Sequence, residues 1–237
     1  MTGFLFREQS YLTSTPATVT GITPEGGIVL DQTVFYATSG GQPGDSGRLV
    51  LSDGTIIPVT TAVHPEGDKT RIVHVPSEGA AVPKVGDVLT AEIDWDRRYR
   101  LMRMHTALHL ATVALPYPVT GGSVGEDKGR LDFNMELIPD AAELEEKLNA
   151  LVAGDHAVSA EWITDEEMAA NPGLIKSMNV KPPMGQGRVR LIRIGEVDLQ
   201  PCGGTHVKKT GEIGRLKVGK IEKKGAINRR VAIHFAD

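Results

Sequence analysis

His105 and His109 stand four residues apart in the segment RMHTALHL. That spacing is just over one helical turn, so on a helix both imidazoles share a face and can reach one ion. The pair reads either as metal ligands or as two ordinary, partly buried histidines. Helices of zinc peptidases carry a glutamate directly after the first histidine as general base. Thr106 holds that position here, which disfavours a peptidase.

A second pair follows in PCGGTH, where Cys202 and His206 flank Gly203-Gly204-Thr205. Two glycines allow a tight turn, with positive φ if required, that brings thiolate and imidazole to one point. The same residues also read as a buried cysteine beside a turn with an incidental histidine. Together the two pairs offer three nitrogens and one sulfur, a donor set that suits tetrahedral zinc with bonds of about 2.0–2.3 Å. Cys202 is the only cysteine among 237 residues, so no internal disulfide exists and nothing points to an oxidising compartment. A cytoplasmic protein is expected.

The third feature is SGGQPGDSG, residues 39–47. It is either a glycine-rich hairpin loop or a loop whose bare backbone approaches a phosphate, ribose or acyl group. In the second case Gly40 and Gly41 contact the ligand and the Gln42 amide positions it. Charge adds a possible partner. Residues 208–230 hold nine Lys and Arg against two Glu, a local balance of +7 inside a chain of −4. Arg97, Arg98, Arg100 and Arg103 crowd the turns before the histidines. A basic stripe of this kind, with Arg97, Lys208 and Lys209 as its candidate contacts, suits a phosphate backbone, although it also reads as a solvated strand face.

These residues need elements to hold them. Leu101, Met104, Leu108 and Ala111 recur at helical spacing, which predicts a helix over 95–115. A second helix is expected over 140–153, where Asp140 and Glu143 form a cap. A third, short one begins at Thr164 with the capping-box partner Glu167 and stops before Pro172. Upstream, β-type runs at 27–30, 55–60, 70–75 and 88–93 alternate with Gly, Pro and Asp breakers, the pattern of a small antiparallel barrel or sandwich. Further β runs lie at 189–194, 216–221 and 230–235. The class is therefore α+β, with a small β-barrel domain over residues 1–94 and a two-layer α/β domain over 95–237. No run of eighteen apolar residues exists, so a membrane span is excluded. Only 5% of residues are aromatic, which argues against a surface built on base stacking.

RMHTALHL, GEDKGRLDFN, RVRLIRIGEVDLQPCGGTHVKKTGEIG and KGAINRR, in that order, resemble the editing domain of alanyl-tRNA synthetases and their free-standing relatives, the AlaX proteins. SGGQPGDSG is similar to the glycine-rich motif of the medium-length AlaX class, which has a β-barrel domain before the editing domain. The resemblance implies a trans-editing hydrolase that cleaves the ester of seryl-tRNA(Ala), with glycyl-tRNA(Ala) as a further substrate. It implies one Zn2+ per chain on His105, His109, Cys202 and His206. It also implies a threonine that contacts the serine hydroxyl; Thr120 is the match, and Thr106 the second choice. Thr120 and Gln42 are thus the expected catalytic residues. Zinc would either activate water and polarise the carbonyl or hold the substrate's amino group. The rival readings are an RNA-binding module with a structural zinc and an editor of another tRNA, such as seryl-tRNA(Thr).

Overall fold

A computed structural model of the chain describes residues 2–179, 182 and 187–236. It divides into two compact units, Met1–Tyr99 and Arg100–Asp237. The first is a closed six-stranded barrel. Its strands are β1 (Ser14–Ile22), β2 (Ile28–Leu30), β3 (Gly47–Leu51), β4 (Ile56–Val63), β5 (Val73–Pro76) and β6 (Val88–Ile93). Around the barrel they run β1-β2-β5-β4-β3-β6. Alternation explains the interior: Ala17, Val19, Leu49, Ile57, Val59, Leu89 and Ala91 point inward and are buried, while their chain neighbours do not. Apart from one 3-10 turn at Leu5–Arg7, the described residues before Asp94 contain no helix, as the breaker pattern predicts.

The glycine-rich motif sits in this unit. Ser39 and Gln42 exchange backbone hydrogen bonds of 3.1 and 2.9 Å, and Gly40 and Gly41 between them have φ of +57° and +83°. Two successive positive φ angles define a type I′ hairpin turn, which explains the glycine pair.

Helix α1 (Trp95–Ala114) carries the first histidine pair. In the second unit it is followed by β7 (Val119–Ser123), β8 (Lys128–Asn134), α2 (Ala141–Ala153), β9 (Val158–Thr164), α3 (Asp165–Ala170), β10 (Arg188–Ile194), β11 (Asp198–Pro201), β12 (Leu216–Lys223) and β13 (Asn228–Phe235). Both expected caps are present. Asp140 accepts from the Glu143 amide, and Thr164 forms a reciprocal capping box with Glu167. One sheet runs β12-β13-β8-β7 and the other β9-β10-β11, all antiparallel neighbours. Strands β1, β3, β7, β8, β9 and β11 have no counterpart among the expected β runs.

Sheet and helix meet closely at Gly129 of β8. A Cβ there would lie 2.7 Å from Met104 Sδ and 3.1 Å from a Leu108 methyl, both on α1. Arg103 of α1 stacks 4.2 Å over Phe235 and donates twice to the Ile213 carbonyl at 3.0 and 2.7 Å. The TGEIG motif is thereby tied to α1. Its Thr210 hydroxyl lies 3.1 and 3.2 Å from the Leu151 and Val152 carbonyls at the end of α2. No described helix is long and apolar enough to cross a membrane.

Candidate metal centre

Helical spacing places His105 and His109 on one face of α1, with ring centroids 5.3 Å apart. The loop after β11 supplies the other pair. The His206 ring lies tilted 4.4 Å from that of His105 and edge-on 4.5 Å from that of His109, centroid to centroid. Cys202 Sγ lies 3.5 Å from His105 Nε2 and 3.4 Å from His206 Nε2. One ligand atom from each of the four residues falls within 4.8 Å of all the others, so the group could hold a metal ion. Tetrahedral bonds of about 2.0–2.3 Å put neighbouring donors about 3.3–3.6 Å apart, and the two sulfur–nitrogen distances match that edge length. The residues present fit such an ion.

The loop is held by Arg190 of β10. Its guanidinium donates to the Cys202 carbonyl at 3.0 Å and the Gly204 carbonyl at 2.9 Å, while the Cys202 amide donates to the Arg190 carbonyl at 3.1 Å. The Gly204 amide points at Cys202 Sγ at 3.4 Å. Neither Gly203 nor Gly204 uses positive φ, so the turn forms without the left-handed backbone that glycine permits. Arg190 is hard to find from sequence as a site residue because it interrupts an apolar run, RVRLIRI; a buried cation inside a strand is the available signal.

The electrostatics favour deprotonated sulfur. Burial raises the Cys202 thiol, but His105 and His206 outweigh it and pull the group well below its usual value. Burial, reinforced by the neighbouring His105 and His109, holds His206 well below the usual histidine range. Burial works against charge on His109, yet Asp198 and Cys202 overcome it and raise this residue to about 9. Burial likewise opposes the Asp198 carboxylate, but His109, Lys176 and Gln200 bring it down to about 2. A thiolate beside an imidazolium is an arrangement in which an arriving cation displaces a proton.

The remaining candidates have these surroundings. Thr106 is fully buried under His206, with its hydroxyl engaged inside the protein. Thr120, on β7, donates to the Asp132 carbonyl and accepts from Asn228 Nδ2, both at 3.1 Å. Gly40, Gly41 and Gln42 belong to the barrel unit, and Gln42 is fully buried there. Arg97 donates to the Gly44 carbonyl at 2.7 Å; Lys208 is exposed; exposed Lys209 pairs with Asp155 at 2.9 Å. The expected arginine stripe on α1 needs correction at Arg98, while Arg100 stays at the surface. Arg98 is 0% exposed and ion-paired with Asp45, Arg100 pairs with Asp127, and Arg103 binds the Ile213 carbonyl. Local acceptors recruit these cations, which a one-dimensional charge count cannot register.

Both units match models of tRNA synthetase parts. Residues 12–97, which include the barrel strands, match the model of tRNA synthetases class II (A). Residues 189–232, with Cys202 and His206, match the threonyl and alanyl tRNA synthetase second additional domain. The alanyl-tRNA editing protein AlaX-M of Methanosarcina mazei is 37% identical over 100% of this chain and 98% of its own length. The AlaX-M protein of Saccharolobus solfataricus is 34% identical over 98% of each. Alanine–tRNA ligase of Pyrobaculum aerophilum is 36% identical over 92% of this chain, which spans 25% of the ligase. The chain belongs to the AlaX-M family of alanyl-tRNA editing proteins.

Proposed function

We propose that this protein is a trans-editing hydrolase that deacylates seryl-tRNA(Ala). In this reading it acts in the cytoplasm with one zinc ion held by His105, His109, Cys202 and His206. The observation that carries the reading is the four-donor cluster, found in a chain that aligns end to end with alanyl-tRNA editing proteins. An aminoacyl ester is already activated, so hydrolysis asks for a positioned water and stabilisation of charge on the carbonyl oxygen. When bound, zinc supplies Lewis-acid polarisation or an anchor for the substrate's amino group. The chain's own part is to keep the thiolate deprotonated and the loop fixed through Arg190.

Selectivity is the harder requirement. Serine exceeds alanine by one hydroxyl, so steric exclusion cannot spare correctly charged tRNA. A hydrogen bond that only serine makes can discriminate by several orders of magnitude. Thr120 suits that role, because its hydroxyl spends its one donor on Asp132 and one lone pair on Asn228, which leaves a lone pair for the serine O–H. Residues 95–237 then carry the chemistry, and residues 1–94 contribute the Gly40-Gly41-Gln42 turn. Arg97, Lys208 and Lys209 contact the tRNA backbone; the exposed Lys209–Asp155 pair is weak enough to exchange for phosphate.

The test is ester loss from seryl-, glycyl- and alanyl-tRNA(Ala) and seryl-tRNA(Thr), with and without chelator, alongside metal analysis. Chelator-sensitive loss of serine from tRNA(Ala), with alanyl-tRNA(Ala) spared, supports the reading. Full metal content without ester loss on any substrate leaves an RNA-binding module with a structural zinc.

A further inference from the structure

The hydroxyl of Thr106 has its hydrogen-bonding capacity filled. It donates its one hydrogen to the Met102 carbonyl one turn back at 2.9 Å, an acceptor-only partner. The Val207 amide donates to it at 3.3 Å. One lone pair remains, and His206 Nδ1 lies 3.1 Å away. With its hydrogen already committed, Thr106 can only accept there, so His206 Nδ1 carries the proton. The other ring nitrogen, Nε2, is the one that faces Cys202 Sγ.

His109 has its own backing group. Its Nδ1 is buried without a hydrogen bond and stands 3.5 Å from Asp198 Oδ2. That carboxylate is fully buried and is fixed from its far side, by an ion pair with Lys176 and by Gln200 Nε2 at 2.7 Å. Lys176 and Gln200 also converge on the Thr112 hydroxyl, at 3.2 and 3.1 Å, and Thr112 donates to the His109 carbonyl at 2.8 Å. The network therefore starts on β11 and ends on the turn of α1 that carries the ligand.

We propose that Thr106 and Asp198 are positioning residues of the metal centre, which hold His206 and His109 with Nδ1 turned outward and Nε2 presented to the ion. Partners of this kind orient an imidazole and fix its tautomer, and their loss weakens metal binding by about 10–100-fold. The proposal rests on the reading of the four donors as a metal site. It gives Thr106 a part in ligand geometry in place of the substrate contact expected from sequence.

The experiment is zinc affinity by competition with a fluorescent chelator, for the parent protein and for Thr106→Val, Thr106→Ser and Asp198→Asn. The expected result is an affinity about 10–100-fold lower for Thr106→Val and Asp198→Asn, with Thr106→Ser close to the parent. Nitrogen-15 NMR of the parent imidazoles adds a readout that needs no variant to fold: His206 should carry its proton on Nδ1. Parent-like affinity in Thr106→Val, or a His206 proton on Nε2, overturns the role of Thr106. Parent-like affinity in Asp198→Asn overturns that of Asp198. A parent protein that takes up no zinc overturns the metal site itself and is told apart from both.

Discussion

Arg98 and Asp45 form a bidentate ion pair in which neither side chain meets solvent, at 0% and 1% exposure. The leftover hydrogen-bonding groups are also satisfied. Arg98 donates to the Ser10 and Val34 carbonyls at 3.0 and 2.7 Å, and the Tyr36 amide donates to Asp45 at 2.6 Å. Removing one partner strands the other charge in a dry interior, which costs about 3–5 kcal/mol. Asp45→Ala and Arg98→Ala should each lower stability by that amount in denaturant titrations. A loss below about 1 kcal/mol in both would mean that water reaches the pair.

His74 sets an acid limit on the barrel. Its Nδ1 donates to the Ile28 carbonyl at 2.9 Å, and its Nε2 accepts from the Thr33 hydroxyl, 2.8 Å away, whose lone pair already takes the Phe35 amide. Burial lowers His74 from 6.5 to about 4, against the weaker pull of the Ile28 carbonyl. The unfolded chain therefore binds a proton before the folded one does. Stability is complete above pH 6.5 and declines from there to about pH 4, by about 3 kcal/mol in all. Thermal unfolding from about pH 7 to 4 should show a slope that His74→Gln flattens; parallel slopes would remove His74 as its source.

Cys202→Ala should lose zinc and deacylation together, because the remaining imidazoles lack the thiolate that completes the donor set. Chelation of the parent protein should have the same effect, reversed by added zinc. Stoichiometric zinc with full activity in the variant would leave the sulfur outside the site.

Thr120→Val is expected to slow hydrolysis of seryl-tRNA(Ala) by at least about 100-fold with zinc content unchanged, as for a site that loses its one discriminating hydrogen bond. Equal rates for variant and parent would show that the Thr120 hydroxyl does not meet the substrate.

Gln42→Met keeps volume and deletes the amide, so it separates chemistry from turn geometry better than changes at Gly40 or Gly41, whose positive φ penalises any side chain. Because Gln42 is fully buried, about 1–3 kcal/mol of stability should be lost as well, and lower activity of the still-folded variant is the expected outcome. Parent-like activity would make the segment a hairpin turn and nothing more.

Much of this architecture is legible in local pattern. Helix α1 shows itself because its apolar residues repeat at 3.6, and both smaller helices because Asp140 and Thr164 announce their own caps. The two short ligand pairs are legible for the same reason: each is a local spacing. Their convergence rests on resemblance, since nothing near Cys202 encodes a contact with a helix about a hundred residues away. Long-range pairing is equally hidden. Strand β8 pairs with β13, the last strand, and β7 is masked because VTGGS has the composition of a loop. Buried polar groups are the commonest departure from expectation. Arg98, Arg190 and His74 are ordinary surface residues by type, and only the carbonyls and carboxylates that fold around them bring them inside.

No side chain stands at Gly129, and the missing methyl group lets the Met104 and Leu108 side chains of α1 come close to the sheet. The helix that presents two of the four donors is thus registered against β8 by an empty space. The atoms in the way are the ends of the flexible Met104 and Leu108 side chains, so one added methyl group is absorbed by their shifting, while a bulkier residue at 129 presses on the helix that carries the donors.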